Sequence, residues 1–260
     1  MTTLNIFEQP KLQNPLLVEG LPGIGNVGRI CVDYIIQETG AKLFAELYSE
    51  HFFPFVVIHE KWEIRLLKVK FYYLKGKRDV VFVTGDCQSM TSQGHYEVME
   101  KIVDLAQKIG VKEIITVGGL ATGEIEEKPR VYGAATDKSI VEKYKEFGIN
   151  FNTSEKVGYI VGAAGILLGL GKQRGIDGLC LLGETSGFPI VADPRAAEAV
   201  LNILSKILEI KIDMSKLDKR VKEMERLIKK IQELQEKAIS QLAKEEERPP
   251  VKKEQLRYIG

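Results

Sequence analysis

Apolar and polar positions alternate along the first 210 residues with two different periods. Short apolar runs predict strands at residues 16–19, 43–48, 80–84, 113–117 and 179–182. Between them, apolar residues recur every three or four positions, which predicts helices at residues 26–39, from about 93 to 110, at 138–147, at 157–171 and from Asp193 onward. Asp193, followed by Pro194, is predicted to be the N-terminal cap of the last of these helices. Residues 55–58, 64–74 and 131–136 are rich in β-branched and aromatic side chains and predict antiparallel strands.

This alternation of strands and helices predicts one α/β core domain at residues 1–211, with three α/β/α layers around a mostly parallel sheet. The chain has 260 residues, enough to bury a large core. Hydrophobic residues make up 44% and charged residues 28%, which is typical of a soluble globular protein. The net charge of +1 argues against a general nucleic-acid-binding protein, so we expect no nucleic acid among its partners.

Targeting and redox features are sparse. The three cysteines are scattered and lack metal-ligand spacing, which predicts no metal site and a reducing, cytoplasmic setting. The first residues lack the basic region and the long apolar core of a signal peptide. The longest uncharged stretch, residues 157–171, is 15 residues long and too short to span a bilayer, so we expect no membrane partner.

A different pattern begins after residue 211. Apolar residues at alternating steps of four and three form a narrow stripe on a charged helix, predicted at residues 212–247, which only Gln235 interrupts. A stripe of this kind predicts a homo-oligomer, for which we favour a tetramer; the alternative is a helix folded back on its own domain. The residues assigned to the oligomer contact are Leu217, Val221, Met224, Ile228, Ile231 and Leu242.

Two consecutive prolines, Pro249 and Pro250, end this helix, because proline cannot continue helical hydrogen bonding. The remaining segment, residues 248–260, is predicted to be a flexible tail. It finishes with tyrosine, isoleucine and glycine at positions 258 to 260. An exposed tyrosine and isoleucine at the free end of a chain are unusual unless something binds them, so they predict a binding partner.

The candidate ligand loops follow two of the predicted core strands. Gly23, Gly25 and Gly28 have the spacing of a dinucleotide-binding fingerprint, in which glycine backbone and a helix N-terminus cradle a pyrophosphate. The acidic residue expected about 20 positions later would be Glu46. The alternative is a packing role, in which the glycines let a helix approach a strand. Glu184 and Thr185 lie where α/β sheets usually bind ligands, so the alternative function is a nucleotide- or small-molecule-binding enzyme.

Catalytic chemistry has little support in the sequence. Cys87 and His95 flank one polar loop and would act as nucleophile and base only if the fold brought them together with an oxyanion site. His51 and His59 lie among aromatic residues without metal-like spacing. We therefore predict no catalytic residues and no cofactor.

Five stretches, taken together and in this order, resemble the motifs of the proteasome-assembly-chaperone family. They are residues 20–28, residues 88–97, Gly118 with Gly119, residues 162–167, and residues 182–185 with residues 193–197. The resemblance covers roughly residues 15 to 205. It is stronger to the archaeal members, which carry a long C-terminal helix and a tail.

The resemblance implies an α/β fold like that of nucleoside phosphorylases, no established catalytic site, and binding to the α-subunit ring of the 20S proteasome. Some family members and proteasome activators end in a hydrophobic residue, a tyrosine and one final residue, and this tail enters pockets between neighbouring α-subunits. The matching residues are Leu256, Tyr258, Ile259 and Gly260, with the tyrosine third from the end rather than second. We therefore expect a non-catalytic assembly chaperone or activator.

Overall fold

The computed structural model describes residues 1–59, 62–123, 128–152, 158–187 and 192–217, together with scattered residues between 219 and 240. The elements in chain order are β1 (Thr2–Ile6), β2 (Leu16–Glu19), α1 (Val27–Thr39), β3 (Lys42–Ser49), β4 (Val56–His59), β5 (Glu63–Leu66), β6 (Val69–Leu74), β7 (Val80–Gly85), α2 (Ser92–Lys108), β8 (Glu113–Ala121), β9 (Val131–Ala135), α3 (Lys138–Tyr144), α4 (Ala163–Gln173), β10 (Asp177–Thr185) and α5 (Pro194–Leu208).

Eight strands form one sheet in the order β1-β3-β6-β7-β2-β8-β10-β9. The central strands β7, β2, β8 and β10 are parallel to one another. Both edges are joined by antiparallel pairings, which include β1 with β3 and β9 with β10. The prediction of a mostly parallel sheet therefore holds for the four central strands, whereas the strands towards both edges are antiparallel. Strand β1, which the sequence pattern did not predict, extends one edge by pairing with β3.

Helices cover both faces of this sheet, as predicted. Helices α1 and α5 pack together on one face, where Tyr34, Leu201 and Leu204 belong to one apolar cluster. Helices α2 and α4 pack on the other face, where Met99, Ile102 and Leu167 belong to a second cluster. The sheet is thus the middle layer of three, and its parallel strands are buried on both sides.

The strand predicted over residues 64–74 is wrong, because the chain forms two strands there in different sheets. Strands β4 and β5 form a separate two-stranded hairpin, whereas β6 lies in the main sheet. The break lies at Lys68, whose backbone N–H and C=O both bond to Asp86 at the end of β7. Arg65 of β5 also binds the Asp86 carboxylate, which holds the hairpin against the body.

Two further boundaries differ from the predictions. The helix predicted from residue 157 begins at Ala163, because Gly162 turns the chain with φ of 80° and ψ of −155°. Strand β10 was predicted to end at Leu182 but continues to Thr185, so Glu184 and Thr185 belong to a strand end rather than to a loop. The predicted length of the C-terminal helix, residues 212–247, lies largely outside the described residues.

Candidate functional site

The carboxyl ends of the four parallel strands meet at one edge of the sheet, where α/β proteins usually bind ligands. Strand β7 lies on one side of β2 and β8 on the other, so this edge is a switch point of the topology. The glycine-rich turn follows β2, and a polar loop follows β7. The start of α5 lies beside them, because the backbone N–H of Asp193 donates to the Gly25 carbonyl at 2.8 Å.

Packing accounts for the geometry of the glycine-rich turn. Gly25 has φ of 59° and ψ of 10°, a left-handed conformation that favours glycine. A Cβ on Gly28 would lie 2.2 Å from the Val117 carbonyl oxygen. A Cβ on Gly119 would lie 2.3 Å from the Ile24 carbonyl oxygen. The turn and α1 can therefore lie against β8 only with glycine at these positions, as the packing interpretation predicted.

The start of α5 closes over this turn. The Thr185 hydroxyl donates to Asp193 Oδ2 at 2.6 Å, and Asp193 Oδ1 accepts from the backbone N–H groups of Arg195 and Ala196. The prediction that Asp193 caps this helix is confirmed. The structure therefore brings the candidate ligand residues Gly25 and Thr185 together. A Cβ built on Gly25 would lie 3.2 Å from the Thr185 hydroxyl oxygen. The polar groups beside them, the Thr185 hydroxyl and the Asp193 carboxylate, are bonded to each other.

Glu184 serves a different contact from its neighbour Thr185, because successive strand residues point to opposite faces. Arg130 binds the Glu184 carboxylate with Nε and a terminal nitrogen, each at 3.1 Å. Glu184 is only 1% exposed, so this bidentate pair fixes the chain before β9 against β10. Arg130 was missed in the sequence because no motif surrounds it.

Glu46, the acidic residue expected for a dinucleotide site, does not lie near the glycine-rich turn. Glu46 lies on β3, which β6 and β7 separate from β2 in the sheet. Lys68 Nζ and the Tyr48 hydroxyl donate to its carboxylate at 2.6 Å and 2.7 Å. Burial raises the pKa of Glu46, but these hydrogen bonds and the lysine charge outweigh it and lower the pKa below its usual range. Glu46 is thus engaged far from the glycine-rich turn.

The pair of Cys87 and His95 is not assembled as nucleophile and base. Cys87 is 1% exposed, and burial raises the pKa of its thiol to about 12. His95 instead contacts the Thr91 carbonyl through Nδ1 at 3.0 Å and Gln88 Oε1 through Nε2 at 3.2 Å. A thiol of this pKa is protonated at neutral pH and is a poor nucleophile.

Gln88, the first residue of the second family-like motif, connects three elements at this edge. Its Nε2 donates to the Pro22 carbonyl at 2.7 Å, and its Oε1 accepts from the backbone N–H of Ala163 at 2.9 Å. The same oxygen contacts His95 of α2. One side chain therefore positions the glycine-rich turn against the starts of α2 and α4.

A cavity of about 210 Å³ lies beside the glycine-rich turn. Its charged lining residues are Arg29 and Asp86, which are 6% and 2% exposed. Gln235, the residue that interrupts the apolar stripe of the predicted C-terminal helix, lines it as well. Arg29 carried a signal that we missed, because it interrupts the apolar face of α1 and has an acidic residue four positions later. The lining consists of Pro22, Gly23, Asn26, Arg29, Phe53, Asp86, Cys87, Gln88, Ser89 and Gln235.

The Asp86 carboxylate in this cavity is already paired. Arg65 donates to both of its oxygens, and the Lys68 backbone N–H donates to Oδ2 at 3.1 Å. Burial raises the pKa of Asp86, but the hydrogen bonds and charge of Arg65 outweigh it and lower the pKa below its usual range. Asp86 is therefore a fixed negative charge and not a proton donor at neutral pH.

A second buried carboxyl lies at the end of β2. Glu19 is 1% exposed, and its Oε1 accepts from the Leu21 backbone N–H at 2.8 Å. Its Oε2 has no hydrogen-bond partner within the described part of the chain. Burial raises the pKa of Glu19 to about 7, although the hydrogen bond from Leu21 lowers it in part.

The residues predicted to bind partners lie mostly outside the described residues. This holds for the tail residues Leu256, Tyr258, Ile259 and Gly260, and for Val221, Met224, Ile228, Ile231 and Leu242 of the stripe. Leu217, the first stripe residue, is described and 2% exposed, and it belongs to the apolar cluster of α1 and α5. The stripe therefore begins in contact with the core of its own domain.

The described part of the chain offers neither a metal-binding cluster nor a membrane-spanning helix. No group of three or more His, Cys, Asp and Glu side chains in this part of the chain is placed to hold a metal ion. Among the helices that the structure describes, none has the length and the apolar composition needed to cross a membrane.

Known proteins similar to this chain share most of its length. The profile of the PAC2 family matches residues 17–232. The protein MJ1210 of Methanocaldococcus jannaschii is 39% identical over 258 residues, which covers 99% of this chain and 97% of that protein.

Two solved structures from Pyrococcus furiosus resemble the fold described above. PbaB, an archaeal proteasome activator, has a TM-score of 0.80 and 44% identity, with 89% of this chain and 98% of that chain covered. PbaA, an archaeal homolog of proteasome-assembly chaperone, has a TM-score of 0.75 and 25% identity, with 91% of this chain and 99% of that chain covered. These similarities confirm the family that the five motifs predicted.

Proposed function

The chain belongs to the PAC2 family, and we propose on this premise that it is a non-catalytic assembly chaperone or activator that binds the α-subunit ring of the 20S proteasome. The observation that carries the proposal is the similarity to PbaB, a proteasome activator, along most of both chains. Its non-catalytic character is supported at the sheet edge, where Cys87 is buried and Thr185 is bonded to Asp193.

The proposed contact is the C-terminal tail, residues 248–260. After Pro250, ten residues remain, and in an extended conformation they reach at most about 30–36 Å. Tyr258 and Ile259 supply apolar contact area at the end of this reach, and the Gly260 carboxylate supplies a charge for a cationic pocket. The chemistry of the tail therefore matches a pocket that has an apolar rim and a lysine.

Self-association would strengthen this contact. In the proposed homotetramer, formed through the stripe on residues 212–247, several tails leave one bundle of helices. Once one tail is bound, the others are held near their pockets, and linked binding of this kind raises overall avidity by about 10²–10⁴. Each tail therefore needs only modest affinity of its own.

Deletion of the last three residues, Tyr258 to Gly260, tests the proposal. We expect the deletion to weaken binding to proteasome α-rings by at least about tenfold, because every tail loses its apolar and charged contacts. Native mass spectrometry of the full chain and the deletion variant with α-subunits measures complex formation and the chain's own oligomeric mass together. Amidation of the C-terminus should produce a smaller loss, because it removes only the charge.

A charge-removing change within the same tail serves as the matched control. Replacing Lys252 and Lys253 with glutamine leaves the last three residues intact and should preserve most of the binding. The oligomeric mass should be the same in all variants. If the deletion variant binds the α-ring as well as the full chain does, the contact lies on the α/β body and the tail proposal is wrong.

A further inference from the structure

The two-stranded hairpin of β4 and β5 presents an apolar face to solvent. Side chains alternate between the two faces of a strand, so each strand gives every second residue to this face. The four residues concerned are aliphatic and lie directly opposite one another in two cross-strand pairs, Val56 with Leu66 and Ile58 with Ile64. Each is between 41% and 67% exposed. We refer to these four residues as the hairpin face.

The opposite face of the hairpin is already packed against the body of the chain. Val57 is 2% exposed and belongs to the apolar cluster of α2 and α4. Its cross-strand neighbour, Arg65, binds Asp86. The hairpin is therefore held in place from one side, and the hairpin face points away from the body. Because a two-stranded hairpin is only marginally stable by itself, burial of its open apolar face would stabilise it.

Apolar surface continues beyond both ends of the hairpin face. Trp62, the only tryptophan of the chain, lies two positions before Ile64 and is 82% exposed. Tryptophan is among the residues that contribute most to binding energy at protein interfaces. At the other end, Val56 and Leu66 also line a cavity of about 500 Å³. Its lining includes the aromatic residues Phe52, Phe53 and Phe55.

We propose that the hairpin face packs against the same face of a second copy of this chain, with the two copies related by a two-fold axis. A two-fold contact uses the same patch on both copies, and antiparallel stacking of the hairpins places the turn of one over the base of the other. Trp62 of each copy then enters the cavity of its partner. The cavity volume of about 500 Å³ lies within the range of ~300–1,000 Å³ that is typical of pockets for small organic groups.

The exposed area is sufficient for such an interface. The hairpin face and Trp62 together expose on the order of 500–600 Å², the upper end for the largest apolar patch of a monomer. Two copies would bury on the order of 1,000–1,200 Å², which reaches the size of a weak but specific interface. The contact therefore rests on the proposed self-association through the stripe, which holds the copies at high effective concentration. It does not rest on proteasome binding.

A second copy suits this face better than a proteasome subunit does. An apolar patch of this size promotes aggregation while it is exposed, so it needs a partner before the chain meets a proteasome. Another copy is present wherever the chain is made. The hairpin face carries no charged side chain, and the net charge of the chain is only +1, so two copies can meet without strong repulsion.

Photo-cross-linking of the full chain tests this contact. Trp62→p-benzoylphenylalanine places a photoreactive aromatic group at the end of the hairpin. We expect ultraviolet light to give a product of doubled mass on a denaturing gel, with the cross-link in the segment from Phe52 to Phe55 of the second copy. The same probe at Val161, which is 77% exposed and lies outside the hairpin, is the matched control and should give no such product.

Acrylamide quenching of tryptophan fluorescence tests the unmodified chain, because Trp62 is its only tryptophan. We expect quenching to be several-fold weaker in the wild type than in Ile64→Asp, which places an unpaired charge in the interface of each copy. Ile64 is 67% exposed in the single chain, so this variant should fold, which thermal melting by circular dichroism verifies.

The proposal is overturned if position 62 gives no cross-link, or if it cross-links only within one chain or only to added proteasome α-subunits. Equal quenching of Trp62 in the wild type and Ile64→Asp would also overturn it. Native mass spectrometry of the same samples reports the oligomer of the stripe separately. An oligomer without the cross-link would refute the hairpin contact alone. Deletion of Tyr258 to Gly260 should leave the cross-link unchanged, which separates this contact from that of the tail.

Discussion

Replacement of Glu19 with glutamine is expected to stabilise the protein above neutral pH. Burial raises the pKa of this carboxyl from 4.5 to about 7 in the folded chain, despite the hydrogen bond from Leu21. Between these two values the folded protein keeps a proton that the unfolded chain has lost. The stabilisation from the neutral carboxyl is therefore fully present below about pH 4.5, and it is lost as the pH rises towards about 7.

The pKa difference sets the size of the effect. A rise from 4.5 to about 7 corresponds to about 3 kcal/mol of unfolding free energy. Glutamine keeps an acceptor oxygen for the Leu21 N–H and has no proton to lose. The unfolding free energy of Glu19→Gln should therefore be less dependent on pH in this range. At about pH 8 it should exceed that of the wild type by up to about 3 kcal/mol, less the cost of burying the amide.

Chemical denaturation of both proteins from about pH 5 to about pH 8 measures these free energies. Glu113→Gln is the matched control. Glu113 is 4% exposed, and although burial raises its pKa, hydrogen bonds from Lys143, Tyr144 and Arg78 lower it below its usual range. This variant should lose stability at neutral pH, the opposite sign. If Glu19→Gln and the wild type show the same pH dependence, Glu19 is not neutral in the folded state and the reasoning is refuted.

Three further predictions concern other parts of the chain. Gly25→Val should cost about 3 kcal/mol of unfolding free energy, because Gly25 has φ of 59°. Gly23→Ala, where a Cβ would meet its nearest atom at 3.6 Å, should be nearly neutral, and equal denaturation midpoints for the two variants would contradict this. The Cys87 thiol, with its pKa raised by burial to about 12, should react with a disulfide reagent only after unfolding, so rapid labelling of the native protein would refute its burial. The double variant Val221→Asp, Ile228→Asp should sediment as a monomer, whereas a native mass would exclude the stripe as the oligomer contact.

The central strands could be predicted from the sequence because their signal is local. The first four residues of β7 are all apolar, which indicates burial on both faces without knowledge of the strand's partners. Strand β1 has no comparable signal, since its residues are partly exposed and its order depends on pairing with β3. The split between β5 and β6 was equally hidden, because it depends on contacts of Arg65 and Lys68 with Asp86.

The candidate site shows the same division between local and distant causes. Asp193 was predicted as a helix cap because the cap and the following Pro194 are adjacent in the sequence. Gln88 gave no such signal, because its partners Pro22 and Ala163 lie 66 and 75 residues away. The fingerprint spacing around Gly25 was visible, but its packing role required knowing that β8 and Asp193 lie against it.

The glycine-rich turn has a consequence for the order in which the chain folds. It lies near the N-terminus, yet its partners come much later in the chain: Val117 packs against Gly28, and the backbone N–H of Asp193 bonds to Gly25. Contacts between residues so distant in sequence form slowly, because long loops must close first. During synthesis, the turn cannot reach its final conformation until residue 193 has left the ribosome. A segment that is synthesised early therefore completes its contacts only after most of the chain has been made.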